Sequence, residues 1–376
     1  MIYLDYASTT PLNEKVLETY TRLLKEYYAN ADSMHDLGMK VEMLQKQSRE
    51  SISKLLKVKS EEIIFTSGAS EANNLAIKGY AFKNKKRGKH IISTRVEHSS
   101  IFNALKQLKE EFGYEITLLN TNSKGQVEVE ELKKYLREDT ILVSVMGINN
   151  ESGAIQPIKE IAEYVHNNSR AVVHMDAVQM LGKIEIDLSY IDMASFSAHK
   201  IYGLKGSGIL YKKNIIELMP IINGGQQEYG LRGGTSNACT NIVLAKTLRL
   251  ALEDMKEHYK YVKELHDYLY NEIEKIKEIK INSDKDGSPY IINYSCDYIS
   301  SEIFMNSLNN KGYACSAQST CSSRTKEPSR IILAMGLSEQ RALNAIRCSI
   351  SHLVTKEEID SYIATIKEIV YGYKTK

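Results

Sequence analysis

Short runs of β-branched and other aliphatic side chains recur at positions 63–65, 90–93, 116–119, 141–145, 171–175, 193–196 and 208–211, and stretches with helical apolar spacing separate most of them. Continuous apolar runs of this length read as strands buried on both faces, and helical crossovers between them make neighbouring strands parallel. The pattern predicts an α/β domain with a seven-stranded, mostly parallel sheet. Only a loop separates the last two runs, so one edge pairing is expected to be antiparallel. Ligands of such sheets sit beyond the carboxyl ends of the strands, which directs attention to the residues that follow each run.

From 241 to 280 apolar residues fall at helical spacing (Ile242, Leu244, Ala245, Leu248, Leu252, Met255), predicting one long helix that leads into a second unit. Beyond residue 288, strand-like runs at 290–294 and 330–333 alternate with helical patterns at 300–311, 338–347 and 356–371, as in a smaller α+β domain. The 376-residue length favours two domains, because a single core stops growing near ~250–300 residues. The expected division is a large domain over 13–255 and a small domain built from 1–12 and 256–376. Residues 316–329 are rich in Ser, Thr and charge and nearly free of aliphatic side chains, which predicts a mobile loop.

Charge narrows the classes further. Forty-nine basic against 47 acidic side chains leave a net charge of +2, without the clustered basic face that nucleic-acid binding needs. The basic run 83–89 reads as a solvated helix end. No apolar run approaches the ~18 residues that span a bilayer, and no secretory signal opens the chain. Five cysteines (239, 296, 315, 321 and 348) without a repeated C-x-x-C argue against a disulfide framework or a metal site, so a reduced cytoplasmic setting is expected.

The strand ends carry the candidate chemistry. Ser195-Phe-Ser-Ala-His-Lys200 places a lysine just past a buried strand, where partial desolvation suits an amine to Schiff-base formation. Alone it reads as a surface lysine. Asp176, in His174-Met-Asp176-Ala-Val-Gln179, ends another strand; a carboxylate there either caps the next helix or pairs with a pyridinium nitrogen. Phe65-Thr-Ser-Gly68-Ala69-Ser70-Glu71 is a small-residue turn into a helix, whose free backbone N–H groups suit a phosphate. Asn149 and Asn150 end a fourth strand, and Glu97-His98 ends a fifth with an imidazole able to stack on a flat ring. Lysine, acid, phosphate turn and stacking ring together point to pyridoxal 5'-phosphate (PLP).

With Tyr3-Leu-Asp-Tyr-Ala-Ser-Thr-Thr-Pro11, Val173-His-Met-Asp-Ala-Val-Gln179, Ser197-Ala-His-Lys200 and Arg232-Gly-Gly-Thr235 added, the chain resembles, over almost its whole length, the cysteine desulfurases of the class V aminotransferase group. These are PLP enzymes of fold-type I. The resemblance implies that Lys200 holds the PLP aldehyde, that Asp176 faces the pyridine nitrogen and that His98 stacks on the ring. It assigns Asn150 and Gln179 to the phenolic oxygen. Ala69, Ser70, Ser197 and His199 would hold the phosphate, joined by Thr235 of the partner subunit in a homodimer. Arg347 matches the arginine that clamps the substrate carboxylate through its planar fork, and Asn30 matches a second substrate-side position. Cys321, in the polar loop, occupies the nucleophile position, with Arg324 and Lys326 nearby to favour its thiolate.

The implied reaction converts L-cysteine to L-alanine and leaves a persulfide on Cys321. That sulfur would pass to a protein acceptor in iron–sulfur cluster assembly or in tRNA or cofactor thiolation. Where the family commonly has Ser-Gly-Ser-Ala-Cys, this chain has Ala317-Gln-Ser-Thr-Cys321; Gly147, Ala198 and His352 also depart from the usual forms. Two other readings share the fold: a PLP-dependent C–S lyase that releases sulfide without Cys321, and a low-activity PLP-bound partner in a sulfur-transfer complex.

Overall fold

The computed structural model describes residues 1–317 and 327–374. After the short strand β1 (Ile2–Tyr3) the chain builds seven strands: β2 (Ile63–Thr66), β3 (His90–Thr94), β4 (Glu115–Leu119), β5 (Thr140–Met146), β6 (Val172–Asp176), β7 (Met193–Ser197) and β8 (Gly208–Lys212). They form one sheet in the order β2-β8-β7-β6-β5-β3-β4, with every pairing from β4 to β7 parallel. The seven-stranded, mostly parallel sheet is as the apolar runs predict. The last two runs do pair antiparallel, as expected, but not at the edge. β8 lies between β7 and β2 and is antiparallel to both, because residues 198–207 are too few for a crossover and return the chain directly beside β7.

All residues of β2, β3, β5, β6 and β7 are buried, as a sheet covered on both faces requires. Successive side chains point to opposite faces. Val143, Val173 and Phe196 pack with Ile161 and Val165 of the helix Ile158–Asn168, whereas Leu142, Val172 and Met193 pack with Ile101, Leu105 and Leu108 of the helix Ser99–Phe112.

A separate core forms around β9 (Ile279–Ile281), β10 (Ile291–Cys296) and β12 (Ala345–Ser349), antiparallel in the order β12-β10-β9, while β11 (Tyr313–Ala314) pairs with β1. Leu4 and Tyr6 from the N-terminus join Leu269, Tyr294, Phe304, Ile346 and Ile363 there. The extreme N-terminus is thereby anchored beside the C-terminal strands.

Three expected elements differ. The run 330–333 is helical (Arg330–Ala334): the Ser329 hydroxyl caps it by accepting from the Ile332 N–H at 3.3 Å, and Ile332 buries against Met335 and Ala342. A short apolar run suits either a strand or a buried helical turn. The helix expected over 338–347 is confined to Glu339–Leu343, and Arg347 stands on β12, where Ile346 and Cys348 enter the core on the alternate face. The long helix over 241–280 is two helices, Ala238–Glu253 and Met255–Glu274, broken at Asp254. The helices Glu14–Glu26 and Asp36–Leu56 lie outside the expected elements altogether. Among the described residues no helix is long and apolar enough to cross a membrane.

Candidate active site

The carboxyl ends of β2, β3, β5, β6 and β7 converge on a cavity of about 520 Å³ whose lining includes Lys200, Asp176, His98, Asn150, Gln179, Arg347 and the turn Ser67–Ser70. Past Ser197, β7 runs into a single helical turn, Ala198–Lys200. Lys200 Nζ then donates to the carbonyls of Ala7 and Ser8, each at 2.6 Å. The N-terminal segment therefore forms the wall opposite the sheet.

Asp176 ends β6 and is buried, with its Oδ2 accepting from Asn73 Nδ2 at 2.9 Å and its Oδ1 from the Val178 N–H at 3.1 Å. No Lys, Arg or His lies within ion-pairing distance of it among the described residues. The same Asn73 nitrogen donates to Ser100 Oγ at 2.9 Å, and Ser100 Oγ lies 2.8 Å from His98 Nδ1. His98 caps the helix Ser99–Phe112, accepting from the Ser100 N–H at 3.2 Å. One network thus fixes both the acid and the imidazole.

At the phosphate-type turn, Gly68 has φ +147°, a conformation that L side chains rarely adopt, and a Cβ on Gly208 would sit 2.6 Å from the Gly68 Cα. Both glycines are required sterically: they let β2 turn abruptly into the helical run that starts at Ala69. Ser197 at the end of β7 and His199 in the helical turn after it line the same cavity as this turn. Burial, aided by Lys200 and two further lysines, pushes the His199 imidazole down to about 4, so it is neutral near pH 7.

Gln179 Nε2 donates to the Ala7 carbonyl at 2.9 Å, and its Oε1 accepts from Lys183 Nζ at 2.5 Å. Arg347 is only 1% exposed. It donates to Asp5 Oδ1 (2.7 Å), Ser8 Oγ (2.5 Å) and the Asn150 carbonyl (2.9 Å), and its Nε has no partner among the described residues. The strand end beside it is held by Asn149, which donates to the Val96 carbonyl and accepts from the N–H groups of Glu151 and Ser152.

The sequence-predicted residues Ala69, Ser70, His98, Asn150, Asp176, Gln179, Ser197, His199, Lys200 and Arg347 therefore meet at one cavity. Thr235 and Asn30 do not line it; both are exposed. They belong to one neighbourhood, tied by Gln227 Nε2 to Asp32 Oδ2 (2.6 Å) and Ser236 Oγ to Gln45 Oε1 (3.0 Å). Cys321, with Arg324 and Lys326, lies outside the described residues. Three residues escaped the sequence reading: Asn73, four positions beyond Ala69 on the helix Ala69–Asn74, Lys183, four positions beyond Gln179 in the turns that follow β6, and the Glu97 side chain. Burial pushes the Glu97 carboxyl up to about 8 while its Oε1 accepts from Thr94 Oγ1 and the Met146 N–H.

Residues 2–362 match the class-V aminotransferase family. The chain belongs to that family. Among its curated relatives is "Cysteine desulfurase IscS" of Dictyoglomus turgidum, 38% identical over 100% of this chain and 95% of the relative. "Cysteine desulfurase IscS 1" of Archaeoglobus fulgidus is 37% identical over 98% and 97%. Among solved structures, one titled "NIFS-LIKE PROTEIN" superposes with a TM-score of 0.92 at 34% identity, covering 98% of this chain and 99% of that one. The structure titled "SspA in complex with cysteine" gives 0.81 at 32%, covering 93% and 99%. The class V fold that the resemblance implies is therefore the fold of this chain.

Proposed function

We propose that this class V family member is a PLP-dependent cysteine desulfurase that converts L-cysteine to L-alanine and hands the sulfur to an acceptor protein. The single observation that carries the reading is the presence of Lys200 and Asp176 on one cavity, the carboxylate being buried without a cationic partner among the described residues. An uncompensated buried charge is costly, and a protonated pyridine nitrogen is the cation that would offset it. The amine, the acid and the phosphate-type turn thus fit PLP. Bound there, PLP supplies an electron sink that makes the substrate Cα–H bond acidic.

The chain's own groups do the rest. Lys200 would hold the cofactor aldehyde, and its amine is placed to take the substrate Cα proton. Asp176 would keep the pyridine nitrogen protonated, and the Asn73–Ser100–His98 network orients the acid together with the imidazole that would stack on the ring. Asn150 and Gln179 serve the phenolic oxygen, and Ala69, Ser70, Ser197 and His199 the phosphate. Arg347 clamps the substrate carboxylate, which must compete with Asp5 for the guanidinium. Cys321 accepts the sulfur, with His98 managing the thiol proton.

A homodimer follows from the same reading. Thr235 and Asn30 lie off the cavity on a surface that also exposes Met34, Leu37 and Met43, so a partner subunit would supply the phosphate's Thr235 and cover these side chains. The acceptor serves iron–sulfur assembly or thiolation in the cytoplasm. The test is to add L-cysteine to PLP-loaded protein and assay alanine and protein-bound persulfide, in wild type and Cys321→Ala. Both products in wild type and neither in the variant support the reading; a variant that still turns over and releases sulfide makes the protein a C–S lyase. A PLP spectrum with negligible turnover, even when thiol acceptors are supplied, leaves a binding role.

A further inference from the structure

Lys183 is 8% exposed, and among the described residues no carboxylate lies within ion-pairing distance of it. Its Nζ has one hydrogen-bond acceptor there, Gln179 Oε1 at 2.5 Å, and it sits 5.6 Å from the centre of the Tyr290 ring. Burial together with the nearby Lys200 and Arg347 pushes its ammonium down to about 7. A lysine so placed costs stability, and no ion pair offsets that cost.

What the amine does is restrict an amide. The ammonium form only donates, and it has the Gln179 oxygen at 2.5 Å, which leaves the Gln179 N–H groups facing the other way. Nε2 duly donates to the Ala7 carbonyl, which also accepts from Lys200 Nζ. Lys183 and Lys200 both line a second cavity of about 380 Å³, whereas Gln179 lines the first. Lys183 is therefore linked to Lys200 through Gln179 and one backbone carbonyl, without lining the first cavity.

We propose that Lys183 is a positioning residue, whose Nζ locks the Gln179 side chain with one amide N–H on the Ala7 carbonyl and the other toward the phenolic oxygen of the cofactor. The proposal rests on the reading of the larger cavity as a PLP site. It assigns Lys183 no contact with substrate or cofactor.

The experiment compares PLP-loaded wild type, Lys183→Met, Gln179→Leu and the double variant. The readouts are the PLP dissociation constant and the pH midpoint at which the bound cofactor's visible absorption changes. Lys183→Met is expected to weaken PLP binding by on the order of tenfold, the scale of one hydrogen bond to a charged group, and to shift the midpoint. In the Gln179→Leu background the same substitution should change neither, because the amide through which Lys183 acts is gone. Equal effects in both backgrounds overturn the proposal, as does a Lys183→Met protein whose affinity and midpoint match wild type. If wild type takes up no PLP, the reading of the cavity falls and the proposal with it; if wild type loads normally and only the variants disagree, the proposal alone falls. Should Lys183→Met fail to fold, a crystal structure of the PLP-loaded wild type decides. Lys183 Nζ within hydrogen-bond distance of Gln179, with the other amide atom against the phenolic oxygen, supports the role; a separation beyond that distance refutes it.

Discussion

Glu97 offers a prediction that tests the interior of the site independently of any cofactor. Its side chain is 1% exposed; Oε1 accepts two hydrogen bonds, and Oε2 has no partner among the described residues. Burial lifts the carboxyl from an ordinary 4.5 to about 8, so the folded protein keeps a proton that the unfolded chain has already lost. Below the unfolded value both states are protonated and the group contributes no pH dependence. As pH rises through the window, the unfolded state is favoured progressively, and above about 8 the full penalty is present. A window of about 3.5 units at ~1.4 kcal/mol per unit sets a ceiling of about 5 kcal/mol. Partial hydration on opening would cut this to a few kcal/mol. Glu97→Gln keeps a carbonyl oxygen for Thr94 and Met146 but cannot ionise. Denaturant unfolding of both proteins at pH 5, 6.5 and 8, taken as a difference, cancels the other titrating groups. The variant should gain on wild type as pH rises, by roughly 1 kcal/mol or more per unit through the middle of the window. A difference that stays flat with pH, or that shrinks, would refute the burial reasoning.

Other expectations follow from contacts at the same cavity. Arg347→Lys removes the planar fork while keeping the charge, so kcat/KM for L-cysteine should fall by about 10–100-fold, with the loss mainly in KM. Gly208→Ala forces a Cβ to within 2.6 Å of the Gly68 backbone; thermal unfolding should show a loss of about 1–3 kcal/mol, and PLP titration should show weaker binding. Thr235→Ala should weaken PLP binding only in protein that sediments as a dimer, which analytical ultracentrifugation alongside cofactor titration would check.

Much of this was legible because the chemistry stands at strand ends. Apolar runs such as those in β6 and β7 carry their own signal; Asp176 ends the first, and Lys200 follows the second after a single helical turn, next to His199. Position in sequence was less informative where packing decides. The run at 330–333 is apolar enough for a strand, yet the Ser329 cap and the small cluster around Met335 make it a helix. Arg347 falls in a stretch whose helical pattern ends at Leu343, and only pairing with β10 draws it into a strand. The antiparallel strand β8 is internal because β2 pairs beyond it, a long-range choice that no local pattern encodes. Asn73 and Lys183 were missed for a different reason: each acts through another side chain, and nothing in their own neighbourhoods marks them as chemical.

The central claim is that Lys200 is the amine that holds the cofactor in this cavity. Incubating the PLP-loaded protein with borohydride fixes the cofactor covalently to whichever lysine carries it, and peptide mass mapping then identifies that residue. The account predicts a single modified peptide containing Lys200, lost in Lys200→Ala. Modification at Lys183 or at another lysine instead, or no adduct at all, would contradict it.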